Sequence, residues 1–320
     1  MTKINTIFMG NPDFCLPALE NLHQNPNVNL SLICGGLDKK VGRGQKLTSP
    51  ATIQFAKKNN LNYIQSENIN KSEDFFDICS NLNVDIIVVF AFSHFLGKKI
   101  LNIPKTGCFN IHTSLLPKYR GSSPIHYALL NGDEQTGISI QKMVKKMDAG
   151  DVLISKKIEL LESDDFQTLC NKFQVMLPEF VSRFIEVLTK VELSFTSQNE
   201  SEVSFAPLIK KEDGFIDPLN DNFEKVRNKI RALKIWPGVY IFLNHQRYKI
   251  HQVKESLVTL SPGVFKIMNK EIFLGLKDRT ASIVLIQPPG KKPMASADFI
   301  NGCSDSTTFN LTDPKKDDIK

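Results

Sequence analysis

The segment Asp85–Phe90 limits the possible folds most narrowly, because every residue after Asp85 is apolar in the run Ile-Ile-Val-Val-Phe. A strand with one face in water alternates apolar and polar side chains, whereas a strand covered on both faces is apolar throughout. Strands of the second kind occur in parallel sheets that carry helices on both faces. The segment therefore predicts a central strand of such a sheet.

The first half of the chain alternates strand-like and helix-like patterns around this segment, which predicts an α/β fold. The other predicted strands are Ile4–Met9, Leu30–Cys34 and Cys108–His112. The predicted helices are Leu16–Gln24, Pro50–Asn59 and Ser72–Leu82. Ligands of open α/β sheets bind beyond the carboxyl ends of the strands, so we expect the site in the loops at 10–12, 91–97 and 112–121.

The second half predicts a separate β domain, because short β runs alternate with turn residues from about residue 239 onward. A polar stretch, Ser197–Glu202, reads as a linker or an exposed turn. We therefore expect a catalytic domain at 1–190, a linker at 191–206, a small barrel or sandwich at 207–303 and a polar tail at 304–320.

The basic charge of the chain is concentrated in this second domain. The net charge is +6, yet residues 207–301 contain sixteen lysines and arginines against nine aspartates and glutamates. A solvated charged face is one explanation. The other is an electrostatic footprint for a polyanion such as a nucleic acid.

The cysteines and the N-terminus indicate a reducing compartment. Six cysteines are scattered without a C-x-x-C pair, which argues against a zinc ribbon, a dithiol redox site and a secreted disulfide framework. The N-terminus has no long apolar leader, and no run of 18 apolar residues occurs. We expect a cytoplasmic protein without a membrane span.

Asn110 and His112 are the candidate catalytic residues, because alternation along a strand places both side chains on one face. A structural alternative is a core Asn and His that bond to neighbouring backbone. Asp148, in the segment M-D-A-G-D, would support a charged His112, and the Asn110 amide would donate to a developing oxyanion. Such a set suits acyl transfer. Neither a G-x-S-x-G motif nor a metal-ligand spacing is present.

These motifs resemble the folate-dependent formyltransferases. The resemblance rests on Asn110-x-His112, the following S-L-L-P-x-x-R-G at Ser114–Gly121, and Asp148 in its M-D-A-G-D segment. It implies that Asn110, His112 and Asp148 are catalytic. The lack of a metal-ligand spacing leads us to expect that no metal takes part. It also implies a Rossmann-like formyltransferase domain with a mostly parallel sheet, followed by a small OB-like β-barrel domain.

The resemblance further implies 10-formyltetrahydrofolate as the co-substrate. The residues that it assigns to tetrahydrofolate are Ser114, Leu115, Leu116 and Pro117 in the turn, and Phe90, Ala91 and Phe92 in the wall that receives the pterin ring.

The acceptor is indicated by segments outside this shared signature, which also occurs in formyltransferases that act on amino sugars. Gly42–Leu47 and Gln287–Met294 resemble segments of the family members that act on tRNA. The residues assigned to tRNA are Arg43, Lys46, Lys291 and Lys292. The resemblance therefore implies a monomer that formylates the α-amino group of methionyl-initiator-tRNA. The alternatives are formylation of a nucleotide-linked amino sugar and a tRNA-binding module without activity.

Overall fold

The structure is a computed structural model that describes residues 3–42, 44–190, 192–303 and 309–312. Within these residues the chain forms two compact units. The first unit contains Met1–Pro124, Gln135–Glu159 and Cys170–Ala206. The second contains Ile125–Glu134, Leu160–Leu169 and Pro207–Lys320.

The described residues contain these helices and strands. The strands are β1 (Ile4–Gly10), β2 (Val28–Gly35), β3 (Lys39–Val41), β4 (Lys46–Thr48), β5 (Tyr63–Gln65), β6 (Ile86–Phe90), β7 (Gly107–His112), β8 (Gln135–Lys142), β9 (Val152–Glu159), β10 (Tyr240–Leu243), β11 (Gln246–Glu255), β12 (Phe265–Met268), β13 (Glu271–Gly275), β14 (Thr280–Gln287) and β15 (Met294–Ala295). The helices are α1 (Leu16–Gln24), α2 (Ala51–Lys58), α3 (Glu73–Asn81), α4 (Lys98–Leu101), α5 (Pro124–Leu130), α6 (Phe166–Leu188), α7 (Phe223–Leu233) and α8 (Ser296–Asn301).

The first unit is built on a seven-stranded sheet in the order β5-β2-β1-β6-β7-β8-β9. The five strands from β5 to β7 are parallel, while β8 and β9 are antiparallel to their neighbours. All five residues of β6 are buried at the centre of the sheet. The predicted central parallel strand is therefore confirmed.

Helix α3 of the first unit combines a side-chain cap with a buried apolar face. The Ser72 hydroxyl accepts a hydrogen bond from the Phe75 backbone N–H, and Glu73 and Asp74 lie in the first turn, where acidic groups suit the helix dipole. Phe75 and Cys79, four residues apart, bury one face. No helix in the described ranges is long and apolar enough to cross a membrane.

The segment Gly42–Leu47, which resembles a segment of the family members that act on tRNA, overlaps a short hairpin, because Lys46 and Leu47 belong to β4. β3 and β4 pair antiparallel as a separate two-stranded sheet, with Val41 opposite Lys46. Arg43 lies outside the described residues. The hairpin gives Lys46 a defined place on an exposed strand.

The second unit contains an antiparallel sheet in the order β10-β11-β14-β13-β12, with β15 paired to β14. Register shifts interrupt the pairing of β11 with β14 and allow the sheet to curl. The expected small barrel is thus an antiparallel curled sheet, a half-barrel. Helix α7 packs with this unit, and its Lys229 contacts the buried carboxylate of Asp221 at 2.6 Å.

We predict that His126 makes the stability of the protein depend on pH. Its ring stacks on Phe166 with centroids 4.1 Å apart, and burial lowers its pKa to about 4. Because the folded pKa lies below the ordinary value of about 6.5, the unfolded chain binds the extra proton between these two values. The free energy of unfolding should therefore fall as pH drops from about 6.5 to about 4, by at most about 1.4 kcal/mol per pH unit.

Urea unfolding at several pH values in this window measures the effect. In the His126→Gln variant, the free energy of unfolding should depend less steeply on pH in this window. In His245→Gln, which changes a histidine at an exposed turn, the pH dependence should match that of the wild type. Identical slopes for the wild type and His126→Gln would contradict the assignment.

Candidate active site

Strand β7 presents Asn110 and His112 on one face, as the alternation predicts. On the opposite face, Phe109 packs edge-on against Phe184 with ring centroids 5.2 Å apart. β7 pairs in parallel with β6 and antiparallel with β8, which sets Asn110 opposite Gln141. His112 is only 5% exposed, so its hydrogen bonds are made inside the protein.

The two ring nitrogens of His112 face different partners. Nε2 lies 2.8 Å from the backbone oxygen of Tyr119. Because a carbonyl can only accept, Nε2 carries a proton and donates it. Nδ1 lies 3.8 Å from Oδ2 of Asp148. In the neutral ring Nδ1 carries a lone pair, and in the charged ring it carries a hydrogen that it can donate. Nδ1 can therefore gain and release a proton beside a carboxylate.

The carboxylate of Asp148 is held by three donors. Oδ1 accepts from Asn110 Nδ2 at 3.3 Å and from Gln141 Nε2 at 2.8 Å. Oδ2 accepts from the Gly121 backbone N–H at 2.8 Å. Asp148 itself has a φ of 49°, a left-handed conformation that the surrounding contacts must stabilise. Asn110, His112 and Asp148 therefore lie together, although Asp148 is distant from the other two in the chain.

The turn after β7 contains the residues predicted to contact tetrahydrofolate. The Ser114 hydroxyl donates to the Lys118 carbonyl at 2.6 Å, and Ser139 donates to the Ser114 carbonyl at 2.8 Å. Ser139 also accepts from the backbone N–H of Leu116. Ser114 is buried, whereas Leu115–Pro117 are partly exposed. The turn is thus fixed by hydrogen bonds and leaves its apolar residues partly exposed.

The predicted pterin wall lies at the same edge of the sheet, because β6 and β7 are parallel neighbours. Phe90 ends β6 and is buried, and Ala91 follows with a φ of 48°. The Phe92 ring packs edge-on against His94 at 4.8 Å. Burial, and then the charge of Lys39, lower the pKa of His94, so its ring is neutral near pH 7.

The residues predicted to bind tRNA are distributed over both units. Lys46 is exposed on β4 of the first unit. Lys291 and Lys292 are exposed in the second unit, after the turn at Gly290. Arg43 lies outside the described residues.

Sequence reasoning assigned no role to four polar residues near Asp148. Gln141 bonds the carboxylate, and Gln198 Nε2 donates to the Asp148 backbone oxygen at 2.9 Å. Arg120 Nε donates to Gln198 Oε1 at 3.0 Å, and Arg120 Nη2 donates to Glu200 at 2.8 Å. Arg120 belongs to the recognised motif, so the motif drew attention to it. Nothing in a single sequence indicates Gln141 or Gln198, since the strand register and the path of residues 192–206 determine their positions.

The guanidinium of Arg120 is buried, with a side chain only 1% exposed, and it pairs with a more exposed carboxylate. Hydrogen bonds from Arg120 and then from Lys146 lower the pKa of Glu200 to about 2. Glu200 therefore remains ionised at any ordinary pH and balances the charge of Arg120.

The arrangement combines an amide donor with an imidazole–carboxylate pair that can move a proton. These groups can stabilise an oxyanion and exchange protons with two nitrogen atoms, which is the requirement for acyl transfer between amines. No group of three or more His, Cys, Asp or Glu residues in the described part of the chain could hold a metal ion.

Comparison with known families and proteins gives consistent matches. Residues 2–185 match the family described as Formyl transferase, and residues 208–304 match Formyl transferase, C-terminal domain. The methionyl-tRNA formyltransferase of Caldicellulosiruptor saccharolyticus is 36% identical over 305 residues, which cover 93% of this chain and 97% of the relative. That of Mesoplasma florum is 38% identical and covers 95% of this chain and 97% of the relative.

A solved structure shares the fold at lower identity. The N-formyltransferase from Helicobacter canadensis, in complex with folinic acid and dTDP-3-aminofucose, superposes with a TM-score of 0.64 at 16% identity. The match covers 88% of this chain and 98% of that chain. At this identity the likeness supports the fold alone.

We predict that Gly121 cannot be replaced without loss of stability. Its φ is +126°, and an added Cβ would lie 2.6 Å from the Ala206 carbonyl oxygen. Gly121→Ala should therefore lower the free energy of unfolding by about 1–3 kcal/mol, measured by urea denaturation. Gly44→Ala is the control, because a Cβ there meets nothing within 4 Å. Equal stability of the Gly121→Ala variant and the wild type would contradict this account.

Proposed function

Because this chain belongs to the formyl transferase family, we propose that it is an enzyme that transfers the formyl group of 10-formyltetrahydrofolate to the α-amino group of methionyl-initiator-tRNA. The product is N-formylmethionyl-tRNA, which serves translation initiation. The observation that carries the chemistry is the convergence of Asn110, His112 and Asp148 in one cluster, in which Asp148 accepts a hydrogen bond from Asn110 and faces the His112 ring.

The choice of tRNA as acceptor is supported by the relatives and by charge. The relatives named methionyl-tRNA formyltransferase match nearly the whole chain, including the second unit. Within that unit, residues 207–301 carry sixteen lysines and arginines against nine aspartates and glutamates, as expected for a surface that binds phosphates. A sugar acceptor would not require such an excess.

The reaction begins when the neutral amine attacks the formyl carbon, and the carbonyl oxygen becomes an oxyanion. Asn110 Nδ2 carries two hydrogens, of which one bonds Asp148. The second can donate to the oxyanion. The His112 ring becomes charged when it takes up the amine proton, and that positive charge then stabilises the oxyanion until the bond from the formyl carbon to the folate nitrogen breaks. In comparable sites, one such donor lowers the barrier by about 2.7–4 kcal/mol.

The His112–Asp148 pair can carry out both proton transfers of the reaction. The attacking nitrogen gains positive charge and releases one proton, while the departing folate nitrogen must gain one. The pair accepts the first proton and supplies the second, so it ends in its starting state. Asp148 orients the ring and stabilises its charged form. The 3.8 Å gap between the two groups is wider than a hydrogen bond, and we expect it to shorten when both substrates are present.

We assign the tetrahydrofolate to the edge formed by β6 and β7. Phe90, Ala91 and Phe92 would line the pterin ring, and Ser114 together with Leu115–Pro117 would contact the folate from the turn. The partly exposed apolar side chains of this turn suit a flat aromatic ligand.

We assign tRNA contacts to Arg43 and Lys46 in the first unit, and to Lys291 and Lys292 in the second. Residues 1–190 would then perform the chemistry, residues 191–206 would act as the linker, residues 207–303 would bind tRNA, and residues 304–320 would form a tail. We propose that the enzyme acts as a monomer in the cytoplasm.

We predict that the catalytic trio controls turnover. His112→Ala and Asp148→Asn should each lower kcat by about 10²–10⁴-fold, because proton transfer is lost. Asn110→Ala should lower kcat by about 10²–10³-fold, because an oxyanion donor is lost. The assay follows labelled formyl from 10-formyltetrahydrofolate to charged initiator tRNA.

Matched controls are available for two of these variants. His23→Ala and Asp151→Asn change exposed residues of the same types and should retain activity. Near-normal turnover of both His112→Ala and Asp148→Asn would sink the catalytic assignment. Label on an amino-sugar nucleotide instead of tRNA would overturn the acceptor, and label on neither would indicate a binding module.

We predict that Lys46, Lys291 and Lys292 contribute to tRNA affinity by contacting phosphates. Changing each to alanine should raise the KM for tRNA and leave the KM for the folate unchanged. Each change should also reduce the slope of log affinity against log salt by about one, measured between about 50 and 200 mM salt. Lys58→Ala, at an exposed lysine without an assigned role, is the control. Unchanged slopes in all three variants would exclude these contacts.

A further inference from the structure

We propose that Gln141 and Gln198 are positioning residues for Asp148, and that Arg120 sets the direction of their hydrogen bonds. This inference rests on the proposed formyl transfer, in which the Asp148 carboxylate must hold a defined orientation toward His112. It assigns a role at the active site to Gln198, which the sequence places in a linker.

Gln141 fixes the rotation of the Asp148 carboxylate. Its Nε2 donates to Oδ1 at 2.8 Å, the shortest bond that a side chain makes to this carboxylate. Without it, Oδ1 would retain only the 3.3 Å bond from Asn110. The terminal torsion of an aspartate has a broad energy profile, so its orientation depends on such partners.

Gln141 can donate to Asp148 only while its own oxygen is turned away. Its Oε1 accepts from the Gly150 backbone N–H at 3.2 Å and from Gln198 Nε2 at 3.4 Å. An amide that flipped would place its oxygen against the carboxylate and its nitrogen against these two donors. Both contacts therefore oppose the flipped form.

Gln198 also closes the backbone turn that carries Asp148. Its Nε2 donates to the backbone oxygens of Asp148 at 2.9 Å and Gly150 at 2.6 Å. These bonds stabilise the left-handed conformation of Asp148. The two hydrogens of Gln198 Nε2 are shared among these two oxygens and Gln141 Oε1, the most distant of the three acceptors at 3.4 Å. One amide thus supports both the main chain of Asp148 and, through Gln141, its side chain.

Arg120 determines which end of Gln198 faces the turn. A guanidinium can only donate, so the 3.0 Å contact from Arg120 Nε requires Gln198 Oε1 at that position. The Nε2 atom must then point toward the turn. Each group therefore donates a hydrogen bond to the next: Arg120 to Gln198, Gln198 to Gln141, and Gln141 to Asp148. Glu200 balances the buried charge of Arg120.

The first experiment replaces each glutamine with methionine, which has a similar length and makes no such hydrogen bonds. Gln141→Met and Gln198→Met should each lower kcat by about 10- to 100-fold, because the carboxylate loses its orientation. The KM for each substrate should stay within about threefold, and the folded fraction at the assay temperature should stay unchanged. Gln135→Met, at an exposed glutamine of the same strand β8, is the matched control.

The second experiment tests the direction of donation. Gln198→Glu retains an acceptor for Arg120 but places a carboxylate oxygen against the backbone oxygens of Asp148 and Gly150. We expect kcat to fall at least as far as in Gln198→Met. Wild-type activity of Gln198→Glu would show that anchoring Arg120 is sufficient, and would overturn the proposal.

A third measurement needs no turnover. The Gly121 amide donates to Asp148 Oδ2, so its NMR chemical shift reports the carboxylate directly. Gln141 bonds Oδ1 of Asp148 while the Gly121 amide bonds Oδ2, so Gln141→Met should move this resonance through the carboxylate, and Gln135→Met should not. The positioning role would be overturned by an unmoved resonance or by an unchanged kcat. It would also be overturned by a loss of activity that a changed KM or a lower folded fraction explains. Failure of the wild type to formylate tRNA would instead refute the proposed function, and the resonance would still decide this inference.

Discussion

The pairing of β7 on both of its edges is the constraint on which the site depends. Parallel pairing with β6 brings the ends of two strands to one edge, where both loops of the proposed folate site begin. Antiparallel pairing with β8 sets Gln141 opposite Asn110 and Ser139 opposite His112. A shift of one residue would turn Asn110 and His112 toward the opposite face, where Phe109 packs. The packing of that apolar face therefore fixes the register that keeps Asn110 and His112 on the side of the active site.

A second constraint is that buried polar groups require partners. His112 and Arg120 are buried and Asp148 is largely buried, and each has contacts within the first unit. The motif after β7 satisfies part of this need, through the Tyr119 carbonyl and the Gly121 N–H. Further partners come from β8 and from residues 198–204. The site is thus a cooperative network in which one lost partner affects several others.

The sequence predicts those parts of the protein that depend on local pattern. The apolar run of β6, the alternation in β7 and the motif around His112 indicate the sheet, its catalytic edge and the family. The segment M-D-A-G-D indicates Asp148. The roles of these residues in catalysis remain predictions that the proposed variants test.

The other features depend on contacts between distant segments. The register that places Gln141 beside Asp148 is a property of the paired strands, and the side chain of Gln198 is one of several polar groups in an unremarkable stretch. The hairpin of β3 and β4 likewise cannot be predicted from the sequence pattern, because its strands have three residues each. Short pairings of this kind leave almost no periodicity to detect.

The contacts of Gln198 and Glu200 have a consequence for how the protein is made. Synthesis proceeds from the N-terminus, so the sheet strands through β9 emerge from the ribosome before residue 198. Until that residue arrives, the guanidinium of Arg120 has neither of its side-chain partners, and the turn at Asp148 lacks two of its bonds. The nascent sheet can therefore form before its active site does. A chain cut at residue 190 would retain every strand of that sheet and lack the groups that complete its chemistry.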